Sequence, residues 1–574
     1  MTATVRLLGR PGIESNGVPV RPPRGHKPWA LLAQLLLDDR PPSRQRLVTW
    51  LFADAADPLA ALRWNIAELR RALQGVASVE GDPVRFIPAD SCVVDVHELT
   101  DGTAAQALAL PGFGQELLEG ISPAAAPAFD AWLAAERCRI TACAEAVLVE
   151  RALDLLAAGS PAPAARLAAR AVAMDPLNPD HHAVLIRSLT AAGDAREARR
   201  QAERCTDLFR RELGCAPPAE VLAAVTAGRE PAPGPPASAA TVHSYLDAGR
   251  ASAAAGAVTR SIDQLERAAA LSEDVGDPAL RAAAFVALAG ARVHGAGERG
   301  TAVRGLLQEA VALARASGAA DVAAAACREL AFLALQRGQQ DRAKVWLQQG
   351  EQVVSDDGER ARLLGVRGMC LTDGGDSEAA LAALHASVRL ARGAGDARQE
   401  AWSLSMVGRV HVLRRAHAAA AEVLDTCLEL IRTQGWTSLQ PWPATFRAEA
   451  ALGLGDRDTA RALLDSAWVL AAESGDHCWL TTAAHGQALL ALTDGDLSCA
   501  ATWCDRGLAP SPWYLWPHAR LLDLACAIAL RTAPETAGEP IRRLTRIAAA
   551  GGMRDLLRSA QAHRARAAGV TAGW

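Results

Sequence analysis

The sequence predicts a mainly α-helical protein, in which a small α+β unit at the N-terminus precedes helical hairpins and a long α-solenoid. Half of the 574 residues are apolar, while Tyr and Phe number only 2 and 8, a composition that favours helices over strands. Short β-like runs occur in the first hundred residues. Beyond residue 240, turn-forming glycines recur roughly every 40 residues, which is the spacing of helical-hairpin repeats.

The N-terminal hundred residues combine hairpins with helices. Asn16-Gly17 between short apolar runs is a strong hairpin signal, and SVEGDPVRFI predicts a second hairpin around Gly81-Asp82-Pro83. Strands are expected in these hairpins and at Val5–Leu8, Gly12–Glu14, Val18–Val20 and Cys92–Val96. Helices are expected at Lys27–Leu37, in SRQRLVTWLF with Ser43 as its cap, and at Asp57–Leu73. Strands, three helices and a closing hairpin are the order of a winged helix-turn-helix, here assigned to residues 1–99.

The third helix, DPLAALRWNIAELRRAL, has two different faces. Asp57 can cap its first turn, and Pro58 suits the first helical position. The apolar stripe comprises Leu59, Leu62, Ile66, Leu69 and Leu73. The opposite face carries Ala60, Trp64, Ala67 and Arg71, with Arg63 and Arg70 along one edge. A Trp and arginines separated by small residues are unusual on a face that only meets solvent, so this face is the candidate recognition surface.

The remainder of the chain is predicted to be helical. Phe129–Gly159 forms one long amphipathic stretch, and three shorter helices follow, with breaks at residues 175–179 and 193–194 and an end at Gly214. These helical hairpins occupy residues 100–227, and GREPAPGPPASAA (228–240) is a Pro/Gly linker. Residues 241–574 are assigned to an α-solenoid of tetratricopeptide type, with turns at Gly276-Asp277, Gly318, Asp357-Gly358, Gly395-Asp396, Gly435 and Gly475-Asp476.

Composition excludes several classes of function. Net charge is −4, and the first 99 residues hold 12 Lys/Arg against 11 Asp/Glu, so any DNA binding needs a local patch. The 12 cysteines form no CxxC pair and are expected to be small buried hydrophobes in a cytoplasmic protein. His181-His182 lacks a third metal ligand, and no P-loop or GxSxG motif occurs. We therefore expect no enzyme activity, no cofactor, no metal site and no membrane span.

Several separate blocks resemble a known family of bacterial regulators. They are VRLLG, RLVTWLF and DPLAALRWNIAELRRAL in the first domain, then ELLEGISPAAAPAFDAWLAAER, DPLNPDHHAVLIRSLTAAGD and FRRELGCAPPAEV. In this order they resemble the SARP class, which joins an OmpR-type winged helix to a bacterial transcriptional activation domain. The resemblance covers about two-fifths of the chain, and the solenoid is similar in type to the C-terminal extensions of some members.

The resemblance implies functions for the first two domains. The winged helix would bind double-stranded promoter DNA, and the second domain would support activation and self-association, with a homodimer as a family expectation. The loop Ala53–Asp57 corresponds to a segment that touches RNA polymerase in related winged helices, which makes Asp54 and Asp57 candidates. The alternative is that Asp57 is only an N-cap and Asp54 only solvated. Leu59-Ala60 stands where many members have Arg-Asn, so the bases that are read cannot be transferred.

The candidate DNA-binding residues follow from the outward face of the third helix and from its surroundings. Small Ala67 would allow a close approach to the groove, and the arginines can reach guanine edges or phosphates. The full set is Arg63, Trp64, Ala67, Arg70, Arg71, Arg85 on the second hairpin, and Arg24 and Lys27 before the first helix. The alternative is that the arginines are a solvated face and that Trp64 packs on the wing or on the second domain.

The solenoid has its own aromatic cluster. Seven of 14 tryptophans lie between Trp436 and Trp516. They would pack between helix pairs or line a concave groove that takes a protein or small-molecule effector. Trp513, Tyr514 and Trp516, beside two prolines, are the groove candidates.

Two functions remain open from sequence. The first is a transcriptional regulator, expected to be an activator, that binds DNA through the winged helix and partners or effectors through its repeats. The second is a scaffold that works through the solenoid alone and has no specific DNA binding. Target promoter and effector are not encoded in any motif.

Overall fold

The structure is a computed structural model, which describes residues 3–38, 41–52, 55–89, 91–123, 126–218, 221, 238–254 and 257–569. The chain forms two compact units, Met1–Leu148 and Val149–Trp574. The division falls inside one long helix, and it differs from the domain limits predicted at residues 99 and 227.

The first unit contains the strands and helices predicted for the N-terminus. In order they are β1 (Ala3–Arg6), β2 (Gly12–Ser15), β3 (Val18–Pro19), α1 (Lys27–Leu37), α2 (Arg44–Leu51), α3 (Pro58–Ala72), β4 (Ala77–Glu80), β5 (Arg85–Pro88), β6 (Cys92–Val94), α4 (Asp95–Asp101) and α5 (Ala104–Leu108). The sheet order is β3-β2-β1-β6, with β1 antiparallel to β2 and parallel to β6, while β4 and β5 form a separate hairpin.

Strands β1 and β6 each end two residues earlier than the sequence predicts, and one side chain explains both. The buried carboxylate of Asp95 accepts hydrogen bonds from the backbone N–H groups of Leu7 and Leu8, at 2.9 and 2.8 Å. These N–H groups therefore do not join a strand ladder, and β1 ends at Arg6. Asp95 also begins α4, so β6 ends at Val94 and not at Val96.

The second unit is built from helical hairpins. Helix α6 (Pro127–Ala157) runs from the first unit into the second. It is followed by α7 (Pro161–Met174), α8 (Pro179–Ala191), α9 (Ala195–Leu213), α10 (Ala239–Ala254), α11 (Val258–Val275), α12 (Pro278–His294), α13 (Thr301–Ser317), α14 (Ala320–Gln336), α15 (Gln340–Val353), α16 (Asp357–Asp373), α17 (Ser377–Ala394), α18 (Ala397–Leu413), α19 (His417–Thr433), α20 (Pro441–Gly453), α21 (Arg457–Ser474), α22 (His477–Thr493), α23 (Leu497–Leu508), α24 (Leu515–Thr532), α25 (Gly538–Ala550) and α26 (Arg554–Ala567).

The predicted turns mark the hairpins. Gly276, Gly318, Gly395, Gly435 and Gly475 all have φ between 63° and 73°, the left-handed conformation that ends a helix. The turn expected at Asp357-Gly358 is displaced, because Asp356 is the N-cap and residues 357–358 already lie in the first turn of α16. Most of the predicted helix boundaries of the solenoid are thus confirmed.

Seven consecutive hairpins, from α10/α11 to α22/α23, share one sequence pattern. A small residue on the first helix is followed, 16 positions later, by a buried residue of the second helix, usually Leu. The pairs are Gly249/Leu265, Ala291/Leu307, Ala331/Leu347, Gly368/Leu384, Gly408/Leu424, Ala448/Leu464 and Ala488/Cys504. In the three glycine pairs the leucine side chain occupies the space of the missing Cβ. This pattern supports the assignment to tetratricopeptide-like repeats.

Most of the cysteines are buried, as the sequence predicts. Eight of the 12 cysteines are buried, while Cys92 and Cys499 are partly exposed and Cys138 and Cys215 are exposed. Within the described part of the chain, the helices all lack the apolar length needed to cross a bilayer.

Candidate nucleic-acid interface

Helix α3 is fixed at both its start and its inner face. The Oδ1 of Asp57 accepts a hydrogen bond from the backbone N–H of Ala60 at 2.9 Å, which confirms the predicted N-cap. Leu62, Ile66 and Leu69 are buried, as the apolar stripe predicts. Leu59 was wrongly placed on that stripe: it is 48% exposed, because it lies in the first turn, beyond the edge of the core.

The outer face of α3 is open in the first unit. Trp64 is 51% exposed, and Arg63 and Ala67 beside it are exposed as well. About half of the Trp64 side chain is therefore accessible to a partner. Single exposed apolar side chains are common on protein surfaces, so Trp64 is a candidate contact because exposed Arg63 and Ala67 lie beside it.

Arg71 is held in place by neighbouring groups. Its Nη2 donates to Glu68 Oε2 at 2.9 Å and to the carbonyl of Pro22 at 3.3 Å. The same carboxylate accepts from the backbone N–H of Arg24 at 3.2 Å. Hydrogen bonding to Arg71, and then to Arg24, lowers the pKa of Glu68. The exposed guanidinium of Arg71 is thus oriented along the helix surface.

The other predicted contacts fall into two groups. Arg70 is exposed, yet its Nε donates to the carbonyl of Val79 at 2.6 Å, which fastens α3 to the wing. Lys27 is partly buried, with its Nζ 5.3 Å from the centre of the Phe52 ring. Arg24 and Arg85 have exposed side chains, and Arg85 pairs in register with Glu80 at the tip of the wing. Arg70 and Lys27 are therefore committed to internal contacts, whereas Arg24 and Arg85 face solvent.

Two arginines of α2 were missed by the sequence analysis. Arg44 donates to the carbonyl of Gly81 at 3.3 Å, and Arg46 lies over the Trp50 ring at 4.8 Å. Arg44 therefore borders the wing hairpin, whereas Arg46 contacts Trp50 of its own helix and Asp38. Their only sequence signal was their place in the first turn of the helix that precedes α3.

The structure describes one of the two candidate contacts with RNA polymerase. Asp54 lies outside the described residues. Asp57 is exposed and caps α3, so its predicted role as an N-cap is confirmed.

The groove candidates of the solenoid are mostly wrong. Tyr514 and Trp516 are each 4% exposed and belong to the core of the second unit, where Tyr514 donates to Asp373 and Trp516 lies against Arg409. Trp442 is also buried, and the rings of Trp468 and Trp503 meet edge to face at 4.8 Å. Core packing thus accounts for most of the tryptophan cluster.

Trp513 differs from its neighbours, because it is only partly buried and lines a cavity of about 260 Å³. The other walls of that cavity come from α8 and from the segment before α13. No sequence signal could have found this cavity, since Asp180 lies more than a hundred positions before Arg299 and Arg337.

Comparison with known proteins gives one match to a family model and several similarities to solved structures. Residues 94–227 match the bacterial transcriptional activator domain. No curated protein sequence matches the chain significantly. Among solved structures, the chain is similar to Mycobacterium tuberculosis EmbR in complex with a low-affinity phosphopeptide, with 18% identity and a TM-score of 0.33 over 40% of this chain and 66% of that one. A Rap protein complexed with competence and sporulation factor matches with 12% identity and a TM-score of 0.41, over 58% of this chain and 100% of the other.

The chain therefore contains a bacterial transcriptional activator domain, which is followed by tetratricopeptide-like helical repeats. Both features are expected from the sequence.

Proposed function

We propose that the protein binds promoter DNA by placing α3 in the major groove. The observation that carries the proposal is the exposed Trp64, which stands between exposed arginines on a helix whose opposite face is buried. Helix-turn-helix proteins present such a face to DNA bases.

Each exposed group has a physical task in this arrangement. Ala67 lets the helix approach the groove, and Arg63 and Arg71 are able to donate to guanine edges or phosphates. Trp64 would lie against a thymine methyl group or the sugar–phosphate wall. Arg85, at the wing, would touch phosphates of the neighbouring groove.

The remaining parts of the proposal concern partners. Activation would involve contact with RNA polymerase through the loop that contains Asp57, and the helical domains would mediate dimerisation and effector binding. The protein would act in the cytoplasm. The alternative is a scaffold without specific DNA binding, which the following experiment distinguishes from a DNA-binding regulator.

The test uses fragmented genomic DNA of the source bacterium, captured by the purified protein at two salt concentrations and sequenced. Wild type should enrich discrete sites with a shared motif, and Trp64→Ala/Arg71→Ala should lose them. Arg63→Ala should reduce the slope of log affinity against log salt by about one, because one phosphate contact fewer releases fewer counterions.

Two variants in the second unit serve as controls, because they remove exposed side chains in place of Trp64 and Arg71. Val469→Ala removes a side chain that is 53% exposed, and Arg210→Ala removes a solvent-facing arginine of α9. Both should bind DNA as wild type does. Absence of enrichment by a folded wild-type protein at low salt would contradict the proposal and favour the scaffold.

A further inference from the structure

A cavity of about 260 Å³ lies in the second unit, between the activator domain and the repeats. Asp180 and Ala183 of α8 contribute one wall, and Arg299, Arg337 and Trp513 contribute the opposite side. This volume is somewhat below the ~300–1,000 Å³ of typical drug-sized ligand sites, so the cavity suits a smaller molecule.

Arg299 is built into the wall as a flat cation. Its guanidinium lies 3.6 Å from the centre of the Trp513 ring. Its Nη1 donates to the carbonyl of Gly297 at 2.7 Å, and its Nε donates to Gln336 Oε1 at 3.0 Å. Burial lowers the pKa of Arg299, since it removes water from the charged group. The side chain is therefore held rigidly, with one face covered by an aromatic ring.

Arg337 has an unused donor at the same place. Its Nη2 donates to Asp180 Oδ2 at 2.8 Å and to the carbonyl of Arg299 at 2.6 Å. Its Nη1 is shielded from solvent and has no hydrogen-bond partner among the described residues. A shielded guanidinium N–H without an acceptor is costly, and an anion would satisfy it.

The charges around the cavity favour a negative ligand. Asp180 is shared between Arg337 and Arg304, whose Nη2 lies 3.1 Å from the same oxygen. Asp476 accepts from Trp513 Nε1 at 3.2 Å and is the second carboxylate near the site. Three guanidinium groups thus face two carboxylates, while the rest of the lining is largely apolar.

We propose that this cavity binds a small organic anion, with its carboxylate or phosphate on Arg299 and Arg337 and a flat apolar body against Trp513 and Ala183. Such a ligand would regulate the protein by changing the contact between the activator domain, which contains Asp180, and the repeats, which contain the arginines. Occupancy would change how strongly α8 is held by Arg337. The proposal does not depend on DNA binding.

The test is isothermal titration calorimetry of the full chain with benzoate and with phenyl phosphate, and benzyl alcohol as the neutral control. We expect saturable binding of at least one anion at a single site per chain, and none of the alcohol. Arg337→Gln should weaken binding by about tenfold or more, since a charged hydrogen bond is lost. Ala183→Leu, which reduces the cavity volume and keeps both arginines in the sequence, should abolish binding.

Arg367→Gln is the matched control, because Arg367 makes an ion pair with Glu351 on the surface of the repeats, and it should bind as wild type does. Thermal unfolding shows whether each variant is folded. If a variant fails to fold, crystals of the wild-type protein with 4-bromobenzoate show where the anion binds, because diffraction locates the bromine atom directly. Bromine in the cavity supports the proposal. Bromine elsewhere, no saturable binding at millimolar anion, or equal binding by all folded variants would overturn it.

Discussion

Glu449 in α20 shows how a single buried charge is stabilised. Its two carboxylate oxygens accept from Arg520 at 2.9 and 2.5 Å, and His485 Nδ1 lies 3.1 Å from Oε1. Burial raises the pKa of this carboxyl group, but the cationic neighbours, Arg520 foremost, outweigh burial and lower the pKa from 4.5 to about 2. The ionised form is therefore the one that the fold stabilises.

This pKa predicts how acid affects stability. Because the folded pKa lies below the ordinary value of 4.5, the stabilisation is complete above that pH and is lost as the pH falls toward 2. The contribution is on the order of 3 kcal/mol. Glu449→Gln should be less stable at neutral pH, and its free energy of unfolding should decline less on acidification, as measured by urea denaturation across the acid range.

Glu429→Gln provides the control. Glu429 pairs with Arg432 on the surface, where both side chains are largely exposed, so its removal should leave the acid dependence of stability unchanged. An equal flattening in both variants would contradict the assignment to Glu449.

At the scale of the element, each hairpin depends on close contact between its two helices. Gly408 of α18 lies against buried Leu424 of α19, whose side chain occupies the space where a Cβ would be. Glycine in a helix interior normally weakens the helix. Its use here is explained by the close approach of the second helix.

Gly408→Ala is therefore expected to destabilise the protein, although alanine is the better helix former. Overpacking against Leu424 should cost about 1–3 kcal/mol, which thermal and urea unfolding measure. Gly290→Ala in α12 is the matched control, because a Cβ there meets nothing within 4 Å. That variant should gain up to about 1 kcal/mol. A stabilised Gly408→Ala would show that the two helices adjust freely.

At the scale of the whole second unit, one buried cluster joins distant repeats. Tyr514, the N-cap of α24, donates to Asp373 of α16 at 2.8 Å, and Arg409 of α18 contacts both of them. Arg409 is fully buried and lies 3.6 Å from the centre of the Trp516 ring. The C-terminal helices are thus fastened to the middle of the repeat array, across 141 positions of sequence.

Tyr514→Phe tests whether this buried cluster holds the C-terminal helices on the repeat array. Loss of the hydroxyl leaves the buried carboxylate of Asp373 with fewer donors, which should cost about 1–3 kcal/mol. The second tyrosine of the chain, Tyr245, is partly exposed and gives the control Tyr245→Phe, which should be close to neutral. Hydrogen exchange of α24–α26 should accelerate in Tyr514→Phe alone. Equal stability of the two variants would show that the cluster does not hold these helices.

Local patterns predicted most elements of this chain. The caps Ser43 and Asp57, helix α1 and the glycine-ended helices depend on neighbouring residues, so they follow from sequence. The ends of β1 and β6 were missed because they depend on hydrogen bonds between Asp95 and residues 87 and 88 positions away. The candidate DNA-binding residues were found by helical periodicity, but their internal contacts could not be read from it.

The sequence alone predicted the order of strands and helices, the period of the repeats and the resemblance to an activator domain, because these are properties of short segments. The tertiary structure decided which side chains are available. Trp64 is half-exposed and Trp516 is buried, although both lie in helices that carry apolar residues nearby. It also brought Asp180, Arg299 and Arg337 around one cavity. Exposure and long-range contact depend on what packs against a residue, and that is settled only when the whole chain is folded.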